Sequence, residues 1–182
     1  MKKIIILTGL CFCFLINTCL AQDITYQHRA SAGEITFAWT VDGGSLHVQL
    51  TAKTTGWVGI GFNPSEDMKD ANFILGYVKK GKVKIRDDYG SGLRNHAKDT
   101  SVGGRDNFSN ASGKEENGTT QIEFTIPLNS GDSKDRVINP AADTIVLLAY
   151  GAGRDSFISR HKYHAVLSVN LTTGKFKEVK HH

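Results

Sequence analysis

Cysteine is scarce in this 182-residue chain, and its 3 copies, Cys11, Cys13 and Cys19, all fall near the start. There Lys2 and Lys3 precede an apolar run from Ile4 to Ile16, which gives way to Asn17-Thr18-Cys19-Leu20-Ala21-Gln22. That order of charge, short apolar run and small residues is what a secretory signal peptide requires. The run is too short to favour a membrane-spanning helix. The expectation is a leader over 1–21, cleavage after Ala21 and a single domain over 22–182. The product is periplasmic or secreted, with lipoprotein anchoring through Cys19 as the competing reading. The mature chain then has no cysteine, hence no disulfide, no thiolate metal site and no covalent haem attachment.

Charge of one sign is lacking too. Removing Lys2 and Lys3 leaves 20 basic against 18 acidic residues, a net of +2. The longest basic cluster, Lys79-Lys80-Gly81-Lys82, reads as a hairpin turn. No electrostatic footprint for nucleic acid exists. Helical periodicity is absent as well, since no window of eleven residues or more spaces its apolar residues on one helical face. Motifs for hydrolases and nucleotide binding are missing: no Gly-x-Ser-x-Gly elbow, no His-Glu-x-x-His and no phosphate-binding loop. Asp87 and Asp88 adjoin in a strand and so face opposite ways.

The period that is present is two. Ile35, Phe37, Trp39 and Val41 alternate with polar or small residues, Asp42-Gly43-Gly44 turns the chain, and Leu46, Val48 and Leu50 alternate again. This is a hairpin signal. Further strands are read at 57–62, 72–78, 83–86, 122–128, 145–150, 165–171 and 176–179. The continuous run Ile145 to Tyr150 is expected to be buried on both faces. His96 to Thr120, rich in Gly, Asn, Ser and Asp, reads as one long surface loop. The predicted fold is an all-β antiparallel sandwich of about nine or ten strands. Four Asn-x-Ser/Thr sequences begin at Asn107, Asn110, Asn117 and Asn170, and they read as polar turn residues without glycan.

Two features could carry chemistry. Met68, the one methionine after the leader, sits in the polar loop Asn63-Pro64-Ser65-Glu66-Asp67-Met68-Lys69-Asp70 rather than within a strand. Arg160-His161-Lys162-Tyr163-His164 leads into the last long strand. A thioether and an imidazole without any cysteine are the axial set of a six-coordinate haem. Strand parity places His161 in phase with Ala165, Leu167 and Val169, and His164 on the opposite face. Gly59 and Gly61 leave room for a flat ligand or an opposing sheet, while Trp39, Trp57, Phe62 and Tyr77 read as core.

The segment Thr55-Gly56-Trp57-Val58-Gly59-Ile60-Gly61-Phe62-Asn63-Pro64, followed by Met68, Ala71-Asn72-Phe73-Ile74-Leu75-Gly76-Tyr77-Val78 and Asp87-Asp88-Tyr89, resembles the DOMON domain family. Ala149-Tyr150-Gly151, and His161 ahead of Val169-Asn170-Leu171, extend the resemblance over roughly residues 23 to 175. It is similar to the b-type cytochrome members of that family. The resemblance implies non-covalent haem b held by Met68 and His161, with His164 as the alternative ligand. It implies an electron-transfer module rather than a catalyst in its own right, serving a redox partner protein that the sequence does not name. No transmembrane segment is expected in the mature chain. Haem-free members imply the second reading, a sandwich binding carbohydrate or another extracellular ligand, with Tyr89, Phe108 and Tyr163 as candidate contacts.

Overall fold

A computed structural model describes residues 24–179. The expected leader over 1–21, with its cleavage site and Cys19, lies outside the described residues. Two antiparallel sheets pack face to face. The first has five strands in the order β1 (His28–Ala32), β2 (Ile35–Asp42), β3 (Ser45–Ala52), β9 (Thr119–Pro127) and β8 (Ser109–Glu116). The second has seven, in the order β12 (Phe176–Glu178), β11 (His161–Asn170), β10 (Asp143–Gly151), β4 (Val58–Phe62), β5 (Asn72–Lys79), β6 (Lys82–Gly92) and β7 (Asn95–Lys98). The predicted all-β sandwich is what the chain forms. Among the described residues no helix is long and apolar enough to cross a membrane.

The period-two pattern explains the core. Phe37 and Trp39 of β2, Val48 and Leu50 of β3, and Phe124 of β9 face Ile60 and Phe62 of β4, Leu148 of β10 and Leu167 of β11, all buried. Each such side chain contributes about 1.5–3 kcal/mol of transfer free energy. Trp39 adds a hydrogen bond, its indole N–H donating to the Leu171 carbonyl at 2.9 Å. The β2–β3 hairpin turns at Gly43-Gly44, with Gly43 at φ 57°, as its Asp-Gly-Gly sequence requires. The β5–β6 hairpin turns at Lys80-Gly81, both left-handed at φ 51° and 72°.

Three expectations need correction. Among the described residues there are 12 strands, not nine or ten. The stretch from His96 to Thr120 is not one loop: it carries most of β7, a 3-10 turn at Asp99–Ser101 and all of β8, which closes on β9 through left-handed Asn117 and Gly118. Strand β8 is an edge strand exposed along nearly its whole length, so neither face demands apolar residues and no alternation marks it. The run in β10 is also not buried on both faces. Val146, Leu148 and Tyr150 enter the core, whereas Ile145, Leu147 and Ala149 are half-buried on the outer face.

Candidate functional site

That outer face is where the second apolar cluster lies. Trp57, Ala71, Phe73 and Leu75 are buried there, with Met68, Tyr77, Leu147, Ala149 and Phe157 packed against them. Strand register builds the floor in rows. One row runs His164, Ala149, Gly59, Leu75, Arg86 across β11, β10, β4, β5 and β6; the next runs Val166, Leu147, Gly61, Phe73, Asp88. Above these rows opens a cavity of about 970 Å³, at the large end of the range for small-molecule sites. Its rim carries Arg86, Arg94, His96 and Arg160.

Met68, His161 and His164 all line this cavity. The Met68 loop docks onto β6: the Met68 amide donates to Leu93, the Asp70 amide to Gly90, and the Gly90 amide to Ala71. Asp70 accepts from Ser65 at 2.6 Å and from Tyr89 at 2.5 Å. Those two hydrogen bonds hold its carboxyl below the ordinary range. Asn63, Asp67 and Asp70 adopt left-handed φ of 51°, 49° and 61°, a conformation Asn and Asp tolerate better than other residues with a side chain.

The parity argument for His161 does not hold. Tyr150 pairs with Tyr163, but Gly151 pairs with His161, so a bulge at Lys162 resets the alternation. The phase of Ala165, Leu167 and Val169 leads into the inter-sheet core, and the cavity is on the other face. The bulge turns His161 to the same side as His164, and their rings lie 4.7 Å apart. Burial, helped by His164 and Arg160, lowers the His161 pKa. That shift favours the neutral imidazole, the state in which it can ligate a metal.

His96, which the sequence reading left inside a loop, also lines the cavity. Its Nδ1 lies 2.5 Å from Asp88 Oδ2, the oxygen that also accepts from Arg86 at 2.5 Å. Burial pushes the Asp88 carboxyl up, but the His96 and Arg86 hydrogen bonds and charges outweigh it, and the net shift is downward. Only spatial pairing of β6 with β7 could have found this residue.

Of the two glycines of β4, Gly59 lines the cavity and Gly61 is covered by the Phe73 ring. A Cβ on Gly61 would strike the Phe73 ring, and one on Gly59 would meet Leu75 and Trp57 at 3.3 Å. Same-sheet aromatic rings fill the space, so Trp57 belongs to the outer cluster rather than the sandwich core. The sugar candidates are also occupied: Tyr89 hydrogen-bonds Asp70, while Phe108 and Tyr163 pack against the main core. None forms an exposed aromatic platform. Of the Asn-x-Ser/Thr sites, Asn107 and Asn170 spend their side-chain amides on internal hydrogen bonds.

Comparison with known proteins bears on this arrangement. The family model described as "DOMON domain" matches residues 31–151. DBH-like monooxygenase protein 1 of Homo sapiens is 28% identical over 125 residues, 67% of this chain and 20% of that protein. The Mus musculus protein of the same name is 26% identical over 125 residues, again 67% and 20%. The chain thus spans about a fifth of the length of these relatives. Among solved structures, the cytochrome b domain of pyranose dehydrogenase from Coprinopsis cinerea superposes with a TM-score of 0.56 at 12% identity, over 79% of this chain and 76% of that one. The cytochrome domain of Myriococcum thermophilum cellobiose dehydrogenase gives 0.54 at 12%, over 72% of each.

Proposed function

The chain belongs to the DOMON domain family, and on that premise we propose that it is an exported b-type haem protein that passes single electrons. The observation that carries the proposal is that Met68 and the His161–His164 pair, far apart in sequence, line one cavity with an apolar floor. The residues fit the group. A neutral thioether stands on the β5–β6 side and imidazoles on the β11 side, with β4 and β10 forming the floor between them. Four strand intervals separate β11 from β6, about 19 Å at the usual spacing. His161 is the ligand assigned by its spacing to the final strand. His164, one register row nearer the Met68 loop, is the competing donor.

When bound, a six-coordinate haem supplies reversible one-electron exchange at iron. The chain's own task is to hold it. Leu75, Leu147, Trp57 and Phe73 exclude water from one side, and Arg86, Arg94 and Arg160 offer cations at the rim for carboxylates of a bound macrocycle. Met68 and a β11 histidine would together hold the iron, and a haem held by two side chains would serve electron exchange rather than substrate binding. On this reading the chain carries electrons rather than acting as a catalyst in its own right, and the residues that line the cavity would hold haem non-covalently. The test is titration of the mature chain with haemin, followed by visible spectroscopy. The proposal expects saturation at one equivalent, and split α/β bands on dithionite reduction. A folded protein that takes up no haemin would contradict it.

A further inference from the structure

On the inner side of β6, opposite the haem cavity, Asp87 meets Asp99 of the 3-10 turn and Asp135 of the segment between β9 and β10. One carboxylate oxygen from each lies within 4.8 Å of the others. Asp87 and Asp99 are each 1% exposed. Asp87 Oδ1 and both carboxylate oxygens of Asp99 are buried with no hydrogen-bond partner. Gly104 packs so closely on the Asp99 carboxylate that a Cβ there would collide with it. The Asn107 amide donates to Asp87 Oδ2 at 2.8 Å, and the Asn107 side chain donates to Asp135 Oδ2 at 3.0 Å. Among the described residues no lysine or arginine forms an ion pair with any of the three, and Arg105 pairs with Asp132.

Acidic clusters on a protein surface need no explanation, because water solvates them. This one is different, since Asp87 and Asp99 are buried without an ion-pair partner, which is strongly unfavourable for a carboxylate. Burial, with Asp135 and Asp99 adding repulsion against the Asn107 hydrogen bond, drives Asp87 up to about 8. Burial and the charges of Asp135 and Asp132, against the Arg105 backbone N–H and the charge of Lys134, drive Asp99 up to about 6.

We propose that Asp87, Asp99 and Asp135 form a calcium site that ties β6 to the two long connections on either side of the β8–β9 hairpin. All three donors are hard carboxylate oxygens, with no histidine or cysteine in the group, which selects calcium or magnesium over transition metals. Donors drawn from a strand, a 3-10 turn and an irregular segment suit the flexible coordination of calcium better than the strict octahedron of magnesium. Three carboxylates give an affinity of order 10⁻⁴ M, as in modules that bind calcium outside cells. The site lies on the far side of β6 from Asp88 and His96, and the inference does not rest on the haem reading.

The experiment uses the mature full chain, stripped with EDTA, in thermal melts and calorimetric titrations with CaCl2, MgCl2 and ionic-strength-matched NaCl. Calcium raises Tm saturably and binds with one site per chain, while magnesium and sodium do far less. Asp99→Asn removes a buried charge, so it raises Tm in EGTA, weakens calcium binding at least tenfold and abolishes the calcium response. If Asp99→Asn does not fold, Asp135→Asn, at a half-buried position, carries the same test. Melts unchanged by calcium, equal responses to calcium and magnesium, or a variant that keeps the full calcium response would each overturn the proposal.

Discussion

At the scale of single residues, the site depends on side chains that are missing as much as on those present. Gly90 receives the Met68 loop so closely that a Cβ would collide with the Met68 backbone carbonyl. Backbone cannot swing aside as a side chain can. Gly90→Ala is expected to lower stability by about 2–3 kcal/mol and to displace Met68 from the cavity. Gly59→Ala meets only Leu75 and Trp57 side chains at 3.3 Å, and should cost less than about 1 kcal/mol. Urea melts of both variants would check this, and equal losses would contradict the reading. Asp88 supplies a second test at this scale. Its folded-state pKa is depressed, so its contribution to stability is present above the ordinary carboxylate pKa and is lost as pH falls through the folded value. Wild type should therefore lose stability on acidification more steeply than Asp88→Asn. Near neutrality Asp88→Asn is expected to be less stable by about 2–3 kcal/mol, because Arg86 and His96 lose their shared acceptor. Parallel acid limbs for the two proteins would refute this.

Among the elements, the Met68 loop and the bulge in β11 decide the cavity. The loop is stapled to β6 through Tyr89, whose hydroxyl donates to Asp70. Tyr89→Phe removes that staple and leaves the sheet intact. We expect a reduced low-spin fraction in the haem-loaded spectrum with little change in the thermal melt. A spectrum identical to wild type would show that the staple does not position Met68. This contrast also shows what was legible in the sequence. A strand such as β3, with one face buried against the core and the other outward, announces itself by alternation. Met68 was legible because a lone methionine in a polar loop has little reason to be there for packing. Strand β8 was not legible, because an edge strand with both faces in water imposes no pattern. The bulge at Lys162 was hidden for another reason: an extra residue in a ladder is a property of pairing, so parity counted along β11 alone assigned His161 to the wrong face. His96 and the Asp87, Asp99 and Asp135 cluster need three-dimensional pairing to become visible at all.

For the whole molecule, the sandwich keeps two tasks on separate surfaces. The inter-sheet core holds the fold, and the outer face of the seven-stranded sheet holds the cavity. A ligand that binds only the folded chain adds RT ln(1 + [L]/Kd), about 2.7 kcal/mol at a hundredfold excess over Kd. Haemin should therefore raise Tm in wild type, and Gly90→Ala should show a much smaller rise. The central claim is that Met68 and a histidine of β11 grip one haem iron across this face. Its most direct measurement is the near-infrared sulfur-to-iron charge-transfer band of the oxidised, haem-loaded protein, compared with the spectra of Met68→Ala, His161→Ala and His164→Ala. The account predicts the band in wild type, its loss in Met68→Ala, and loss of low-spin character in only one histidine variant. It assigns that variant to His161, and reversal of the two histidines would move the ligand to His164. A low-spin spectrum without the band in wild type, or one unchanged in all three variants, would contradict the account.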